Sequence, residues 1–533
     1  MNLKNIQQFV AHNLKPIIAL VSGVLMGITV APFNIWLLAW FALAPLWVLV
    51  IKESQKPEFK KKKIILFPIL WGIGYHGVAL FWITGIHPMT WMGVPWLASI
   101  AIAFFVWVFI TLWGAAIATF WVIILLGISN LKFPLKPLIR ILIATAIWCG
   151  LEKLWSMGPL WWSSLSYTQS PHNLVILHLG QLTGTSAITA AIIAINGLLA
   201  EAYLYYSSSV LNKKNSQAKG MRYILFAIGL FISLHLIGYS LYSRPVIQSP
   251  ETALKVGIIQ GNIPNTIKLY PEGFRRAIKG YTKGYLTLAA QNVDAVLTPE
   301  GALPFFLRDI QQGSLVQSIR EKGVVAWIGG FGERGDSYNN SLFTFTGKGE
   351  VFSRYDKNKL VPLGEYIPFE NILGGIINRL SPLEAHQVPG ASNQLFDTPF
   401  GRAIVGICYE SAFPELFRRQ AAAGGQFILS AANNAHYSKA MPAQHHAQDI
   451  MRAIETDRWA VRATNTGYSG FVNPHGKTVW ISGHNTYEVH AETIYRRQTK
   501  TLYVRWGDWL TPLLIGLSVV VLLFNRDRVL GMD

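Results

Sequence analysis

The sequence contains little cysteine and little charge. Only two cysteines, Cys149 and Cys408, occur in 533 residues, which excludes a fold held together by several disulfides. Charged residues form 14% of the chain, whereas 51% of its residues are hydrophobic. The sequence also lacks zinc-ligand spacing, a phosphate-binding loop and a recognisable nucleic-acid-binding motif. Its dominant feature is a series of long apolar runs, which are typical of membrane spans.

Eight apolar segments are each long enough to supply the roughly 20 residues that a bilayer requires. We predict a membrane domain with seven transmembrane helices at 1–243, a soluble-type domain at 244–508, and an eighth transmembrane helix with a cytoplasmic tail at 509–533. No cleavable signal peptide is evident, because the first apolar run lacks a small-residue cleavage site. The predicted spans are 14–32, 35–51, 64–85, 95–127, 138–155, 172–205, 222–243 and 509–525.

The basic residues indicate the orientation of these spans. Thirteen of them lie in three alternate loops, and the two loops in between contain neither lysine nor arginine. Because lysine and arginine stay on the cytoplasmic side, we expect both termini inside and residues 244–508 outside. Anionic headgroups then account for the net charge of +18 without a nucleic-acid partner. The basic loops are 52–63, 129–140 and 211–222, and the loops without basic residues are 86–95 and 156–171.

Residues 244–508 alternate strand-like and helix-like segments, which indicates an α/β domain with antiparallel pairing around 324–346. Two packed sheets between helical layers would fit this pattern. Catalytic groups in α/β folds tend to lie where strands end. A thiol, an amine and carboxylates follow three such strand ends and predict an acyl-transfer site. These residues are Glu300, Lys357, Glu365, Cys408 and Glu410.

Cys408 stands out for a second reason. Exported proteins usually pair their structural cysteines, and the other cysteine, Cys149, lies far away in an apolar segment. An unpaired thiol in this setting suggests either a reactive group or a cysteine that is there by chance. Cys149 is interpreted as a small apolar packing residue. For the glutamates and the lysine, each taken alone, a solvated surface position remains the alternative.

Three motifs resemble those of the nitrilase superfamily of carbon-nitrogen hydrolases. They are "TPEGALP" (298–304), "YDKNKLVPLGEYIP" (355–368) and "GICYE" (406–410). Eight spans with the α/β domain before the last resemble one membrane branch of that superfamily, the apolipoprotein N-acyltransferases. "YNNS" (338–341) and "RAIE" (452–455) fit this branch too. The resemblance implies a polytopic α-helical membrane domain with eight transmembrane helices and an α/β domain built as an αββα sandwich.

The same resemblance implies a role for each residue of the motifs. Cys408 would be the nucleophile, Glu300 the general base and Lys357 the stabiliser of the tetrahedral oxyanion. Neither a metal nor an organic cofactor is expected.

Four further residues would support this triad. Glu365 and Glu410 match carboxylates that position it, and Asn340 matches a supporting amide. The backbone N–H of Tyr409, directly after the nucleophile, would join the oxyanion hole.

The resemblance also implies substrates and a location. An acyl chain would pass from the sn-1 position of a phospholipid to Cys408, and then to the α-amino group of an apolipoprotein's diacylglyceryl-cysteine, the last step of lipoprotein maturation. The protein would be a monomer in the inner membrane with its catalytic domain in the periplasm. The segment 368–384 mixes apolar residues with glycine and is predicted to be a mobile lip that enters the bilayer. Trp161, Trp162 and Tyr167 are predicted to form an aromatic belt at the membrane surface.

One motif departs from the family pattern. After the apolar run "FILSAAN", the family commonly has an Asn-Asp-Ala-Trp-like sequence, whereas this chain reads "NNAHYS" (433–438), with Asn434 and His436 at the changed positions. This change puts the shape of the substrate entrance in question. His436, His445 and His446 are interpreted as loop or packing residues, because no carboxylate or cysteine at ligand spacing accompanies them.

Two other functions remain open from the sequence. A membrane-tethered amidase would use the same triad to transfer an acyl group to water. A transporter or sensor would instead place ionisable residues along a path through the spans, where Glu152 and Lys153 form the conspicuous pair.

Overall fold

The computed structural model describes residues 3–56, 61–129, 135–207, 213–362, 364–366, 387–435 and 437–530. The predicted lip at 368–384 therefore lies outside the described residues, and so does His436.

The first half of the chain forms a body of apolar helices. Among the residues that the structure describes, four segments are long and apolar enough to cross a membrane, namely Trp36–Ser54, Trp96–Ile128, Thr185–Tyr206 and Lys214–Tyr242. Other apolar helices are shorter, so the predicted number of eight spans is not confirmed. The α-helices of this body are α1 (Leu3–Gly27), α2 (Ala44–Ser54), α3 (Lys61–Ala79), α4 (Trp96–Ser129), α5 (Pro137–Met157), α6 (Leu174–Leu177), α7 (Gly180–Thr183), α8 (Thr185–Tyr206) and α9 (Lys213–Tyr242).

The predicted span at 172–205 is not one helix. It consists of two single turns, α6 and α7, followed by α8. Gly184 separates α7 from α8 with a φ of +74°, and a Cβ there would lie 2.6 Å from the ring of Tyr503. Only glycine combines this backbone angle with so close an approach, so the apolar run breaks at Gly184.

The α/β domain contains two six-stranded sheets within the described residues. Their strands are β1 (Ala253–Gln260), β2 (Ala295–Leu297), β3 (Val325–Arg334), β4 (Ser337–Phe345), β5 (Val351–Asp356), β6 (Phe396–Thr398), β7 (Gly401–Ile407), β8 (Phe427–Ala432), β9 (Ala460–Thr464), β10 (Gly470–Val472), β11 (Thr478–Ile481) and β12 (Glu488–Tyr495). The first sheet has the order β12-β1-β2-β3-β4-β5 and the second β11-β10-β9-β8-β7-β6. β3 and β4 pair in antiparallel fashion, as predicted.

The two sheets pack face to face with helices outside them. Leu254, Val256 and Ile258 alternate along β1 and meet Val405 and Ile407 of β7 in one buried cluster, as the two-residue period of strands requires. α11 and α13 cover the first sheet, and α14 and α15 cover the second. The αββα sandwich is confirmed. The helices of this part are α10 (Asn265–Lys268), α11 (Pro271–Ala289), α12 (Leu307–Gln312), α13 (Ser314–Lys322), α14 (Pro414–Ala422), α15 (Ala440–Thr456), α16 (Leu502–Trp506) and α17 (Leu510–Leu530).

The α14–α15 layer also packs against the helical body. Phe417 of α14 and Met451 of α15 belong to the same buried cluster as Trp162 and Leu179. The α14–α15 layer therefore packs against the second sheet on one side and against the helical body on the other.

Candidate active site

Cys408 begins a tight turn at the end of β7. The residue has a φ of +52°, and Cys408–Ala412 forms a 3-10 turn. This left-handed conformation is uncommon outside glycine and is maintained only when surrounding contacts fix it. Two contacts do so. Oε2 of Glu410 accepts a hydrogen bond from the backbone N of Ile407 at 2.7 Å, and Nε2 of His445 donates to the Cys408 carbonyl at 2.7 Å.

Glu300 follows β2 and is buried. Its Oε1 accepts hydrogen bonds from Nζ of Lys357 at 2.8 Å and from Nδ2 of Asn340 at 2.7 Å. Its Oε2 accepts one from the backbone N of Asn433 at 2.9 Å. The backbone carbonyl of Asn433 in turn lies 4.0 Å from Sγ of Cys408. The carboxylate is therefore fixed beside the thiol.

Lys357 follows β5 and is 1% exposed. Its Nζ contacts Oε1 of Glu300 at 2.8 Å and Oε1 of Glu365 at 2.6 Å. An ammonium group has three protons, and these two carboxylates use two of them. Within the described residues, no further hydrogen bond from Nζ uses the third proton.

Burial and neighbouring charges give Cys408, Glu300 and Lys357 different protonation states. Burial, followed by the negative charge of Glu300, raises the pKa of Cys408 to about 12. Burial opposes ionisation of Glu300, but Lys357 outweighs it and lowers the pKa of Glu300 below its usual value. Burial also opposes the charge of Lys357, and the adjacent carboxylates of Glu300 and Glu365 raise its pKa well above the usual value. The site thus combines a neutral thiol with an ionised carboxylate and a permanent cation.

Glu410 and Glu365 hold the surrounding loops. Oε1 of Glu410 accepts hydrogen bonds from the backbone N atoms of Asn358 at 2.6 Å and Lys359 at 3.2 Å. Together with its bond to Ile407, these contacts tie the end of β5 to the end of β7. Oε2 of Glu365 accepts from the backbone N of Val361 at 2.8 Å. Burial raises the pKa of Glu410 to about 7 and also raises that of Glu365.

The side chain of Tyr409 contacts the helical body. Its OH donates to the carbonyl of Pro159 at 2.6 Å, and its ring stacks on Trp162 with centroids 6.2 Å apart. The residue after the thiol therefore joins the Cys408 turn to the loop after α5. The role of its backbone N–H stays a prediction.

Sequence reasoning missed a second buried lysine. Nζ of Lys268, at the end of α10, donates to the backbone carbonyl of Glu300 at 3.1 Å. Burial lowers the pKa of Lys268 to about 8, and the charge of Glu300 works against this shift. With Lys357, this second cation balances the two carboxylates of Glu300 and Glu365. Lys268 follows β1, another strand whose end faces the site, and this position in the sequence could have indicated it.

His445 lies in helix α15 and contacts the backbone of Cys408, so its interpretation as a loop or packing residue was incomplete. Nδ2 of Asn434 lies 3.2 Å from Nδ1 of His445. The amide is a donor, so Nδ1 accepts and Nε2 carries the proton that reaches the Cys408 carbonyl. Burial lowers the pKa of His445 to about 3, which keeps the ring neutral. Asn434, one of the two departures from the family pattern, thus fixes the tautomer of His445.

The predicted aromatic belt is wrong. Trp161, Trp162 and Tyr167 are all buried, because this loop packs beneath the sandwich instead of facing lipid. Nε1 of Trp162 donates to Oε1 of Gln444 at 2.9 Å. Gln444 also accepts from Trp82 at 3.1 Å, and its Nε2 donates to two backbone carbonyls of the helical body at 2.8 Å each. Gln444 therefore joins α15 to the helical body.

Among the described residues, no group of three or more histidines, cysteines and carboxylates is arranged to hold a metal ion. The groups that the structure brings together around Cys408 are a thiol, carboxylates and ammonium groups.

Two family models match the chain in order: the apolipoprotein N-acyltransferase N-terminal domain over 22–198, and the carbon-nitrogen hydrolase over 255–501. An apolipoprotein N-acyltransferase from Nostoc sp. is 66% identical over 493 residues, covering 92% of this chain and 96% of that protein. One from Synechocystis sp. is 48% identical over 513 residues, covering 94% and 98%. Among solved structures, an amidase from Nesterenkonia sp. has 19% identity and a TM-score of 0.36, covering 52% of this chain and 99% of that chain. The resemblance is confirmed, and the chain belongs to the apolipoprotein N-acyltransferase family, a family of acyltransferases within the carbon-nitrogen hydrolase superfamily.

Proposed function

We propose that the protein transfers an acyl chain from the sn-1 position of a phospholipid to the α-amino group of an apolipoprotein's diacylglyceryl-cysteine, through a thioester on Cys408. The contact of Nζ of Lys357 with both Glu300 and Glu365, next to a thiol on a fixed turn, is the observation that carries this proposal. The family and the apolar helices support lipid substrates.

In the first half-reaction, Glu300 accepts the thiol proton while Sγ of Cys408 attacks the ester carbonyl. Lys357 donates its third proton as a hydrogen bond to the oxyanion, and such a preorganised charge in a dry site lowers a barrier by about 3–4 kcal/mol. The ester C–O bond then breaks. The lysophospholipid oxygen leaves with the proton from Glu300, and the acyl group stays on sulfur.

In the second half-reaction, the α-amino group of the acceptor attacks the thioester carbonyl. Glu300 accepts a proton from the amine, and Lys357 again stabilises the oxyanion. The C–S bond breaks, the sulfur regains its proton from Glu300, and an amide is released. The two half-reactions form a ping-pong cycle, and neither needs a metal or an organic cofactor.

The proposal includes the arrangement in the membrane. Eight spans would place both termini in the cytoplasm and the sandwich outside the inner membrane. In cells whose copy of the protein lacks both native cysteines, we expect an impermeant maleimide to label Lys348→Cys from outside and Lys56→Cys only after permeabilisation. The reverse labelling pattern would contradict this orientation.

The test of the reaction is intact mass after incubation with phospholipid alone in detergent micelles. We expect a hydroxylamine-sensitive gain of one fatty acyl chain, absent in Cys408→Ala and retained in Cys149→Ala, the matched control at the other cysteine. Added diacylglyceryl-cysteinyl peptide should then take the acyl chain and restore the original mass of the protein. No adduct on a folded, lipid-binding protein would contradict the thioester. An adduct that water removes as fast as the peptide does would favour the amidase.

A further inference from the structure

A cavity separate from the Cys408 site lies where the helical body meets the sandwich. It has a volume of about 490 Å³ and is bounded by the end of α5, the start of α14 and the junction between α16 and α17. Cys408, Glu300 and Lys357 do not line it. The acyl-transfer chemistry described above therefore does not use this space.

The acidic residues that line this cavity are already bound. Glu152 accepts hydrogen bonds from the loop after α5 at 2.8 and 2.9 Å. Glu415 binds Arg418 at 2.6 Å, and Asp508 accepts from Ser186 at 2.7 Å. Arg418 and Arg419 also line the cavity, and both form ion pairs with Glu415.

Two lysines that line the cavity lack such a partner. Lys153 is exposed, and Lys359 is partly buried with its Nζ 5.0 Å from the centre of the Phe413 ring. Neither lysine has a carboxylate within ion-pair distance in the part of the chain that the structure describes. Four basic and three acidic side chains line the cavity, so basic groups outnumber acidic ones by one, and the two lysines are the cations held in no direct ion pair.

The rim of the cavity is apolar. Met157, the last residue of α5, is 70% exposed, and Trp506, the last residue of α16, is 68% exposed. α17 begins at Leu510, only a few residues later. If α5 and α17 cross the membrane as proposed, this rim lies at the headgroup layer of the outer leaflet, where an exposed tryptophan is a typical residue.

We propose that this cavity is a second lipid site, which binds the phosphate of an anionic phospholipid headgroup through Lys153 and Lys359 while Met157 and Trp506 contact its glycerol and acyl chains. The site is distinct from the position of the acyl donor at Cys408. Only its placement in the outer leaflet rests on the proposed topology.

The test is native mass spectrometry of the full-length Cys408→Ala variant in detergent, titrated with phosphatidylglycerol or phosphatidylcholine. Turnover is absent in this background, so the result does not depend on the proposed reaction. We expect phosphatidylglycerol to bind more tightly than phosphatidylcholine, and Lys153→Ala to weaken phosphatidylglycerol about tenfold, the effect of losing one charge-assisted hydrogen bond. Lys153→Arg should restore binding. Lys322→Ala, an exposed lysine on α13 far from the cavity, is the matched control and should change nothing.

Three outcomes would overturn the assignment. Equal binding by Lys153→Ala and Lys322→Ala would show that the cavity charge does not matter. Displacement of phosphatidylglycerol by millimolar inorganic phosphate would show a site for the free anion instead of a lipid. Loss of thioester formation when Lys153→Ala is made in the protein that retains Cys408 would make the cavity part of the donor's route.

Discussion

Replacement of Glu300 by glutamine tests the proposed base directly. Glutamine has the same size, and its Oε1 still accepts from Lys357 and Asn340, whose donors lie 2.8 and 2.7 Å from the native oxygen. The substitution therefore preserves the size of the side chain while it removes the negative charge, the group that accepts the thiol proton, and the acceptor for the backbone N of Asn433, which lies 2.9 Å from the native Oε2.

The magnitude follows from the pKa of the thiol. With a pKa of about 12, Cys408 is a thiolate in only about one molecule in 10⁵ at pH 7, so the wild-type reaction needs a base during attack. General-base assistance contributes about 10²–10⁴-fold, and Glu300→Gln should slow thioester formation by about this factor. Because Glu300 has a lowered pKa, it is ionised throughout pH 6–9, and the wild-type rate should be flat there.

The pH profile of Glu300→Gln should have a different shape. Without a base, the rate depends on the thiolate fraction and rises about tenfold per pH unit below the thiol pKa. That pKa should itself fall below its wild-type value, since the charge of Glu300 is its second cause, but burial keeps it above the usual value.

The assay is single-turnover intact mass with phospholipid micelles between pH 6 and pH 9. Glu365→Gln is the matched control, because it removes the other carboxylate bound to Lys357 and leaves the proposed base in place. It should lower the rate but keep the flat profile. A Glu300→Gln rate close to that of the wild type, and independent of pH, would refute the role of Glu300 as the base.

Two further predictions concern contacts around the turn. His445→Ala leaves the buried Cys408 carbonyl without its donor, which should lower the free energy of unfolding by about 1–3 kcal/mol and slow thioester formation. His445→Gln, whose amide nitrogen reaches a similar position, should restore much of the rate, whereas His446→Gln on the same helix should leave the rate near wild type. Equal effects of both glutamine variants would contradict this role of His445. Gln444→Leu removes four hydrogen bonds between α15 and the helical body and should increase hydrogen exchange in α15 and in the loop after α5. The control is Gln420→Leu, whose side-chain amide forms hydrogen bonds only within the sandwich; it should increase hydrogen exchange in β7 and α14 without affecting that loop. Unchanged protection of the loop in Gln444→Leu would contradict the prediction.

The sequence predicted those parts of the site that local pattern controls. β2 and β7 are short apolar runs that end at a carboxylate and a thiol, so Glu300 and Cys408 could be placed at strand ends. The pairing of β12 with β1 could not be read in this way, because it joins segments more than 200 residues apart.

The contacts that sequence reasoning missed are tertiary. His445 lies 37 residues after the carbonyl that it binds, on a helix whose apolar pattern says nothing of the turn above it. The tryptophans of the loop after α5 have the composition of a membrane belt, and only the packing of α15 against that loop shows that they are buried. Hydropathy likewise gave one long span at 172–205, whereas the close approach of Tyr503 requires the break at Gly184.

Two sets of contacts fix the groups around Cys408, and they belong to different parts of the chain. The ion pairs of Lys357 with Glu300 and Glu365 lie entirely within the sandwich. The turn itself is held from the other side, since Tyr409 binds the carbonyl of Pro159 in the helical body, and α15, which bears His445, is joined to that body through Gln444. Within the sandwich, Glu410 holds the same turn through the backbone N of Ile407, so both parts of the chain support it. It follows that the helical body does more than anchor the sandwich, because it supplies part of the support for the turn that places Cys408 beside Glu300.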